Sequence, residues 1–361
     1  MRVEGGRERV QRLLELSRAL LAEPEQRRVL CERWREMTGL SAQGVAWALE
    51  HCLELWPSAP EIDALLAAVP QARRAHVILP AQVFVAAQRA IALGLASAPE
   101  VFVRPSRRDP VLAQALAARG AGLFQCVDQL DVEPGDHVWA YGADLTLSAL
   151  RAQLPAGAVL HAHGSGFGVA LVDLDRPQSL PDAARAIAED TLCFDQRGCL
   201  SPRLVLALGS PSSAQSFAEA LACALADAGR RVPRGAFSAD ELAEESWYRQ
   251  CLACFASIVD TGHGSVSVRA LELSLVAAQG LAALVLPPAG RHLQIVPVER
   301  LEPALGGLER WLTSVGCATL ELEQRARAVL SRARVVPLGR MQSPAFDGPV
   351  DRRSDPRGEL I

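Results

Sequence analysis

The sequence predicts an α/β protein with parallel sheets and a helical N-terminal segment. Apolar residues recur at helical spacing over the first 70 residues, and short apolar strands then alternate with helices in two blocks. A chain of 361 residues, half of them hydrophobic, can hold two or three domains with a large buried core. We therefore expect four parts: a helical segment over 1–70, domains over 71–175 and 176–335, and a C-terminal return segment and tail over 336–361.

The first segment has the spacing of amphipathic helices. Val10, Leu13, Leu14 and Leu20 recur at helical intervals, and Ser41 can cap a later helix. No nucleotide-binding motif occurs in this segment. We interpret it as a helical cap, and a helical protein-binding surface is the functional alternative.

Residues 71–175 form the first alternating block. Such alternation is typical of a parallel sheet with helices on both faces, whose ligands bind at the carboxyl ends of the strands. The predicted strands are His76–Leu79, Glu100–Val103, Leu123–Val127, His137–Ala140, a run near Val159, and Val169–Val172. The predicted helices are Val83–Leu95, Pro110–Arg119 and Asp144–Gln153.

The second block, residues 176–335, also alternates. Its predicted helices are Leu180–Asp190, Ala214–Gly229, Glu241–Ile258, Leu301–Leu312 and Glu321–Leu330. Its predicted strands are Leu204–Leu208, Ala283–Leu286 and Leu293–Val298. Ser343–Ile361 is rich in proline, glycine and charge, which predicts an extended tail.

Composition narrows the functional classes. The net charge of −4 gives no electrostatic case for nucleic-acid binding, and all 37 basic residues are arginine. Nine scattered cysteines, no secretory signal and no apolar run of membrane-spanning length predict a cytoplasmic protein with reduced thiols. Cys251 and Cys254 have CxxC spacing, but no second pair completes a zinc site, so we expect no metal.

Cys199 is the candidate nucleophile. It lies in the predicted loop between a helix and the strand Leu204–Leu208, where backbone NH groups can point at a bound carbonyl. Gln196 precedes it by three residues, and Arg203 follows it by four. Sulfur suits the acceptance of an acyl group from a thioester, because the exchange is nearly balanced and the adduct stays reactive. The alternative is a small buried residue, as most cysteines are.

An arginine-rich turn follows the second predicted strand. Arg104, Ser106 and Arg107 lie at the carboxyl end of this strand, where guanidinium groups suit a phosphate or a ribose. A solvated surface loop is the alternative for any cluster of charges.

Two glycine turns allow a ligand to approach the backbone closely. Gly142 lies at a strand-to-helix junction, and Gly164 and Ser165 precede a strand. The order is not GxGxxG, so the phosphate-binding signal is weak. His161 or His163 could reach an active site as an acid, and simple packing is the alternative for both.

These features together resemble the LuxC-type fatty acyl-CoA reductases, a branch of the aldehyde dehydrogenase superfamily. The resemblance covers nearly the whole chain and depends on the order and spacing of several motifs. The matching motifs are Val103–Pro110, Tyr141–Asp144, Cys193–Arg203, Leu312–Gly316, Val336–Met341 and Phe346–Gly348.

The resemblance implies a two-lobed aldehyde dehydrogenase-like fold, with a nicotinamide domain over 71–175 and a catalytic domain over 176–335. It implies that Cys199 takes the acyl group of an acyl-CoA or acyl-carrier thioester, which NADPH then reduces to an aldehyde. Arg203 matches the usual downstream arginine. Arg104 replaces a lysine that commonly touches the adenosine ribose. Family precedent also implies a homo-oligomer and an acyl-transferring partner protein.

Two departures from the superfamily pattern matter. Hydrolytic members carry a glutamate before a glycine pair, and the corresponding stretch, His161–Gly166, has none, as expected for a reductase. The family often has an asparagine that helps to hold the oxyanion, and Gln82 stands there with an additional methylene. An acyl-phosphate reductase of the same superfamily, or a non-catalytic relative that binds an acyl carrier or synthetase, therefore stays open as an alternative.

Overall fold

The computed structural model describes residues 5–120, 122–253, 256–271 and 284–353. They form two compact units. The first comprises the described residues of segments 1–38, 48–165 and 345–361, and the second comprises those of 39–47 and 166–344.

Helices form most of the described part of the first 70 residues, as predicted. Buried Val10, Leu13 and Leu20 lie on one face of the first helix, and the side chain of Ser58 caps the fourth helix in a capping box with Glu61. The helices are α1 Gly6–Ala22, α2 Pro24–Thr38, α3 Ala42–His51 and α4 Ala59–Ala68.

A five-stranded parallel sheet follows in the first unit, with strand order β3-β2-β1-β4-β5. The strands are β1 Arg74–Ile78, β2 Glu100–Arg104, β3 Gln125–Cys126, β4 His137–Tyr141 and β5 Val159–His163. Helices α5 Ala86–Ser97, α6 Val111–Arg119 and α7 Asp144–Gln153 connect them. The chain runs outward from β1 to β3 and then crosses to β4, so the strand order reverses between β1 and β4.

Helices cover both faces of this sheet. Val138 packs with Leu147 of α7, whereas Val77 lies on the opposite face and adjoins Gly94 of α5. The parallel sheet and its alternation with helices are confirmed for these five strands, but the last strand predicted for this block, Val169–Val172, belongs to the second unit.

The second unit contains a seven-stranded sheet with order β12-β11-β6-β7-β10-β9-β8, in which only the β8–β9 pair is antiparallel. The strands are β6 Phe167–Asp173, β7 Pro202–Leu208, β8 Ser257–Asp260, β9 Ser265–Val268, β10 His292–Val298, β11 Leu312–Cys317 and β12 Arg334–Pro337. The helices are α8 Leu180–Leu192, α9 Pro211–Arg231, α10 Ala239–Leu252, α11 Leu301–Leu308 and α12 Leu320–Val329. Helices α8 and α9 pack on one face of the sheet, and α11 and α12 pack on the other.

Two predictions for the middle of the second block are wrong. The helix predicted to reach Ile258 ends at Leu252, and β8 begins at Ser257; Cys254 and Phe255 lie outside the described residues. The strand predicted over Ala283–Leu286 is not formed at its described residues, because Val285 has a φ of 48° and two prolines follow. Ala283 itself is not described.

The C-terminal part also differs from the prediction. The helix expected to reach Leu312 ends at Leu308, and the next run forms the fully buried strand β11. The predicted extended tail is also wrong up to residue 353, because this segment packs against the rest of the first unit. Phe346 is buried, its backbone NH donates to Glu61, and Arg89 donates to the carbonyl of Gly348.

Two helical glycines give a matched test of packing between α5 and the sheet. A Cβ on Gly94 would lie 2.8 Å from Cγ2 of Val77, whereas one on Gly306 in α11 would meet nothing within 4 Å. We expect Gly94→Ala to destabilise the protein by about 1–3 kcal/mol through overpacking. Gly306→Ala should stabilise it by up to about 1 kcal/mol through helix propensity. Thermal unfolding of both variants measures this, and equal shifts would contradict the packing described.

Candidate active site

Cys199 lies at the amino end of the second sheet. A tight turn, Cys193–Gln196, follows α8, and residues 197–201 then lead into β7. The side chain of Cys199 is half-buried. The structure therefore places this partly exposed residue in a loop between a helix and a strand.

Contacts from β6, β11 and the segment after β12 hold the Cys199 loop. Thr313 of β11 donates its hydroxyl hydrogen to the carbonyl of Cys199. The NH of Gly168 in β6 donates to the carbonyl of Ser201 at 3.0 Å, and Gln342 donates to the hydroxyl of Ser201 at 3.1 Å. A Cβ on Gly168 would lie 2.5 Å from the carbonyl oxygen of Leu200, so only glycine allows this approach.

Asp190, at the end of α8, holds the segment that carries Gln342. Its carboxylate accepts the NH groups of Gly339 and Met341 at 2.7 and 3.0 Å, and Gln342 donates to its carbonyl at 3.0 Å. Burial raises the pKa of Asp190 to about 7, although both NH donors act in the opposite direction.

Arg203 is the second residue of β7 and belongs to the same unit as Cys199. Its Nη1 donates to the carbonyl of Pro287 at 2.7 Å. Burial lowers the pKa of Arg203 to about 10, while Glu244 and Tyr248 raise it, so the guanidinium stays charged at neutral pH.

The other predicted site residues lie in the first unit, along the carboxyl edge of the five-stranded sheet. Gln82 is exposed in the turn after β1, and Arg104 ends β2. Gly142 follows β4, and Gly164 and Ser165 follow β5. These residues therefore share the edge where the strand order reverses, which is the usual place for a ligand of a doubly wound sheet.

The arginine-rich turn presents available cations, among them the two that the sequence assigns to the cofactor. Within the described part of the chain, the guanidinium groups of half-buried Arg104 and exposed Arg107 have no hydrogen-bond or ion-pair partner. The hydroxyl of Ser106 accepts the NH of Arg108 at 3.2 Å, so this side chain also shapes the turn.

The two glycine turns differ. Gly142 is exposed, and a Cβ there would come no closer than 3.9 Å to Thr146, so its backbone is open to a ligand. A Cβ on Gly164 would lie 2.3 Å from Oδ1 of Asp144, the atom that accepts the NH of Ser165 at 2.7 Å. Packing against Asp144 therefore explains the glycine at position 164.

The histidines of β5 are packed. His161 stacks on Trp139 with a centroid separation of 3.9 Å, and its Nε2 lies 3.1 Å from Nδ1 of His137. His163 stacks on Tyr141 at 4.5 Å. Burial lowers the pKa of His161 to about 3, so the ring is neutral near pH 7. Packing, the second of the two alternatives for these residues, describes both.

The described ranges hold neither a metal-binding cluster nor a membrane-spanning helix. No group of three or more histidine, cysteine, aspartate or glutamate residues there could hold a metal ion. No helix among the same residues is both long and apolar enough to cross a bilayer.

Residues 125–351 match the family model described as acyl-CoA reductase (LuxC), which is more than half of the chain. The chain belongs to this family. A search of curated proteins found no match. The LuxC family match confirms the resemblance inferred from the motifs.

Solved structures support the fold of this LuxC family member. Lactaldehyde dehydrogenase from Escherichia coli is 16% identical, covers 93% of this chain and 79% of its own, and has a TM-score of 0.66. An oxidoreductase from Marinobacter aquaeolei is 13% identical, and the match covers 96% of this chain and 80% of that protein, with a TM-score of 0.69. A NAD-dependent benzaldehyde dehydrogenase from Corynebacterium glutamicum is 14% identical, and the match covers 92% of this chain and 81% of that protein, with a TM-score of 0.65. The aldehyde dehydrogenase-like fold is therefore confirmed.

Sequence reasoning missed the residues that hold the Cys199 loop in this LuxC protein. Thr313 lies inside the family motif Leu312–Gly316, and Gln342 directly follows the family motif Val336–Met341. The motifs drew attention to both regions but assigned neither residue a role. Gly168 and Asp190 had no distinguishing signal, because a lone glycine in a strand and a lone aspartate in a helix are common.

Removal of one loop contact should expose the Cys199 thiol. We expect Thr313→Val to speed alkylation of Cys199 by iodoacetamide about two- to tenfold, the equivalent of one lost hydrogen bond. Peptide mass spectrometry measures the rate, with exposed Cys223 as the reference in the same sample. Thr319→Val, which removes a helix cap in the same unit, is the matched control and should leave the Cys199 rate unchanged. An equal rate in both variants would contradict the role of Thr313.

Proposed function

We propose that this protein reduces an acyl thioester to an aldehyde through an acyl-cysteine at Cys199. The observation that carries the proposal is a half-buried cysteine, held by neighbouring strands in a helix-to-strand loop, inside the region that matches the acyl-CoA reductase family. An acyl-CoA or an acyl-carrier thioester is the proposed donor.

The covalent step exchanges one thioester for another. The Cys199 thiolate attacks the carbonyl carbon, and the thiol of the donor leaves with the electron pair of the broken C–S bond and takes up a proton. When bound, a nicotinamide cofactor supplies the hydride that converts the acyl group to an aldehyde. The bond between the carbon and Cys199 then breaks, and its electron pair returns to the sulfur.

The negative charge on the carbonyl oxygen needs hydrogen-bond donors. We assign this role to the backbone NH of Cys199, and the amide of Gln82 is the second donor that the family resemblance implies. A glutamine in place of asparagine shifts the donor by on the order of 1 Å, and loss of one such donor costs about a hundredfold or more in rate. The partly buried charge of Arg203 adds positive potential in the catalytic unit.

The carboxyl edge of the first sheet suits the cofactor. The available guanidinium groups of Arg104 and Arg107 and the open backbone at Gly142 fit the phosphates and ribose of a dinucleotide. Ser106, Gly164 and Ser165 complete the proposed set, although the backbone at Gly164 and Ser165 also bonds with Asp144 and Arg353. A second guanidinium beside the ribose position favours NADPH over NADH.

Absence of the glutamate from His161–Gly166 agrees with a reductase, because water must not discharge the acyl-cysteine first. A cytoplasmic homo-oligomer that receives acyl groups from a partner protein is the setting implied by the family.

Acylation of Cys199 is the central test. Incubation with a panel of acyl-CoA thioesters should add one acyl mass on the peptide that contains Cys199, and NADPH should be consumed when it is supplied. Cys199→Ala should abolish both, since the proposed mechanism places the nucleophilic sulfur at this position. Cys223→Ala, which removes an exposed cysteine in α9, is the control and should retain full activity.

Other outcomes identify the alternatives. Acylation by acyl phosphates alone would indicate an acyl-phosphate reductase. Failure with every acyl donor, together with stable capture of an acyl-carrier or synthetase protein, would indicate a non-catalytic relative. Undiminished NADPH oxidation by Cys199→Ala would remove the mechanism.

Cofactor preference gives a second test. Arg107→Gln should raise the KM for NADPH about tenfold or more and leave that for NADH nearly unchanged, because a charge-assisted phosphate contact contributes about 1.5–3 kcal/mol. Steady-state kinetics with both cofactors measures this. Arg73→Gln removes an exposed charge next to β1 at the opposite edge and is the matched control. Equal effects of Arg107→Gln on both cofactors would contradict the assignment.

A further inference from the structure

Three consecutive residues before the Cys199 loop have left-handed backbone conformations. The φ angles of Phe194, Asp195 and Gln196 are 56°, 50° and 67°, and none of these residues is glycine. A left-handed conformation costs a residue with a side chain roughly 1–2 kcal/mol, and such residues normally occur singly. Other contacts must therefore hold this run in place.

A buried ion pair holds the middle residue. Arg291 donates from Nε and Nη2 to Oδ1 of Asp195 at 3.0 and 2.6 Å, and both residues are about 1% exposed. The NH of Gly235 donates to Oδ2 at 2.9 Å, and that of Gly290 donates to the carbonyl of Asp195 at 3.0 Å. Both carboxylate oxygens are thus satisfied inside the protein.

Gln196 continues the same arrangement. Its amide nitrogen donates to the carbonyls of Pro202 and His292 at 2.7 Å each, and its amide oxygen accepts the NH of His292 at 2.8 Å. The side chain is completely buried. Because it bonds with the first residues of β7 and β10, the left-handed run is fastened to the sheet at the amino end of β7.

Strain of this kind persists only where surrounding contacts impose it, and it is concentrated at functional sites. The run ends three residues before Cys199, so its geometry sets the direction in which the chain enters the loop. A misplacement of about 1 Å in a reacting group can cost about a hundredfold in rate. Building on the proposed function, we propose that Asp195 and Arg291 are positioning residues, which hold the Phe194–Gln196 run in its left-handed form and thereby place the Cys199 sulfur for attack.

The double variant Asp195→Asn/Arg291→Met tests this, because it removes both charges and leaves neither buried without its partner. We expect single-turnover acylation of Cys199 by an acyl-CoA to slow about ten- to a hundredfold, with less than about threefold change in the half-saturating thioester concentration. Alkylation by iodoacetamide should become faster, because the loop is less well held. General destabilisation would also speed the alkylation of buried Cys317 in the same unit, whereas loosening of this loop alone leaves the Cys317 rate unchanged.

A matched control removes another buried pair in the same way. Glu54→Gln/Arg89→Met neutralises the pair of the first unit that holds the 345–348 segment, and it should keep the Cys199 acylation rate within about twofold. If the Asp195/Arg291 double variant does not fold, Arg291→Lys takes its place. It keeps the charge and loses the two-pronged geometry, and acylation should slow about three- to tenfold.

The outcomes separate this inference from the proposed function. Acylation within twofold of wild type in either the double variant or Arg291→Lys would overturn the positioning role. If no acyl donor modifies the wild-type protein, the proposed function fails, and the alkylation rates still test the positioning. An unchanged alkylation rate in the variants would then overturn it.

Discussion

The ion pair between Asp195 and Arg291 is the interaction on which the candidate site depends. Removal of two charges from water costs several kcal/mol per ion, and a pair of this kind stabilises a protein little compared with well-packed apolar residues. Here the cost is offset by four hydrogen bonds to Asp195 and one from Arg291 to Val232. The pair holds three consecutive residues in a left-handed backbone conformation. The intrinsic preferences of these residues would not select that conformation.

The two sheets present their sites at opposite ends of their strands. In the first unit the predicted cofactor residues follow the strands, at the carboxyl edge where the strand order reverses. In the second unit Cys199 precedes β7, at the amino end. The helix that follows a strand in such a sheet begins at the carboxyl end, so its N-terminus cannot hold a loop at the amino end. Side chains and backbone from neighbouring strands therefore hold it, which explains why Thr313, Gly168 and Gln342 converge there.

The sequence predicted the α/β class, the parallel sheets and most helices, because these depend on local periodicity. Asp144–Gln153 was predicted to the residue. The failures have local causes as well. Leu312–Cys317 is buried on both faces, so it lacks the alternation that identifies a strand, and the apolar helix before it extended the helical pattern. Val285 adopts a left-handed conformation that its β-branched side chain gives no reason to expect.

For the candidate site, the sequence located Cys199 and Arg203 but not the residues that hold them. Arg291, Thr313 and Gln342 lie 96, 114 and 141 residues from their partners near Cys199, and no local pattern links such positions. Strand order provides the missing link. Once β6 and β10 flank β7, and β11 flanks β6, the first residues of all four strands must meet at one end of the sheet. Gly168, His292 and Thr313 lie at those positions, and each forms a hydrogen bond with the segment from Gln196 to Ser201. Together they fix the loop that carries Cys199.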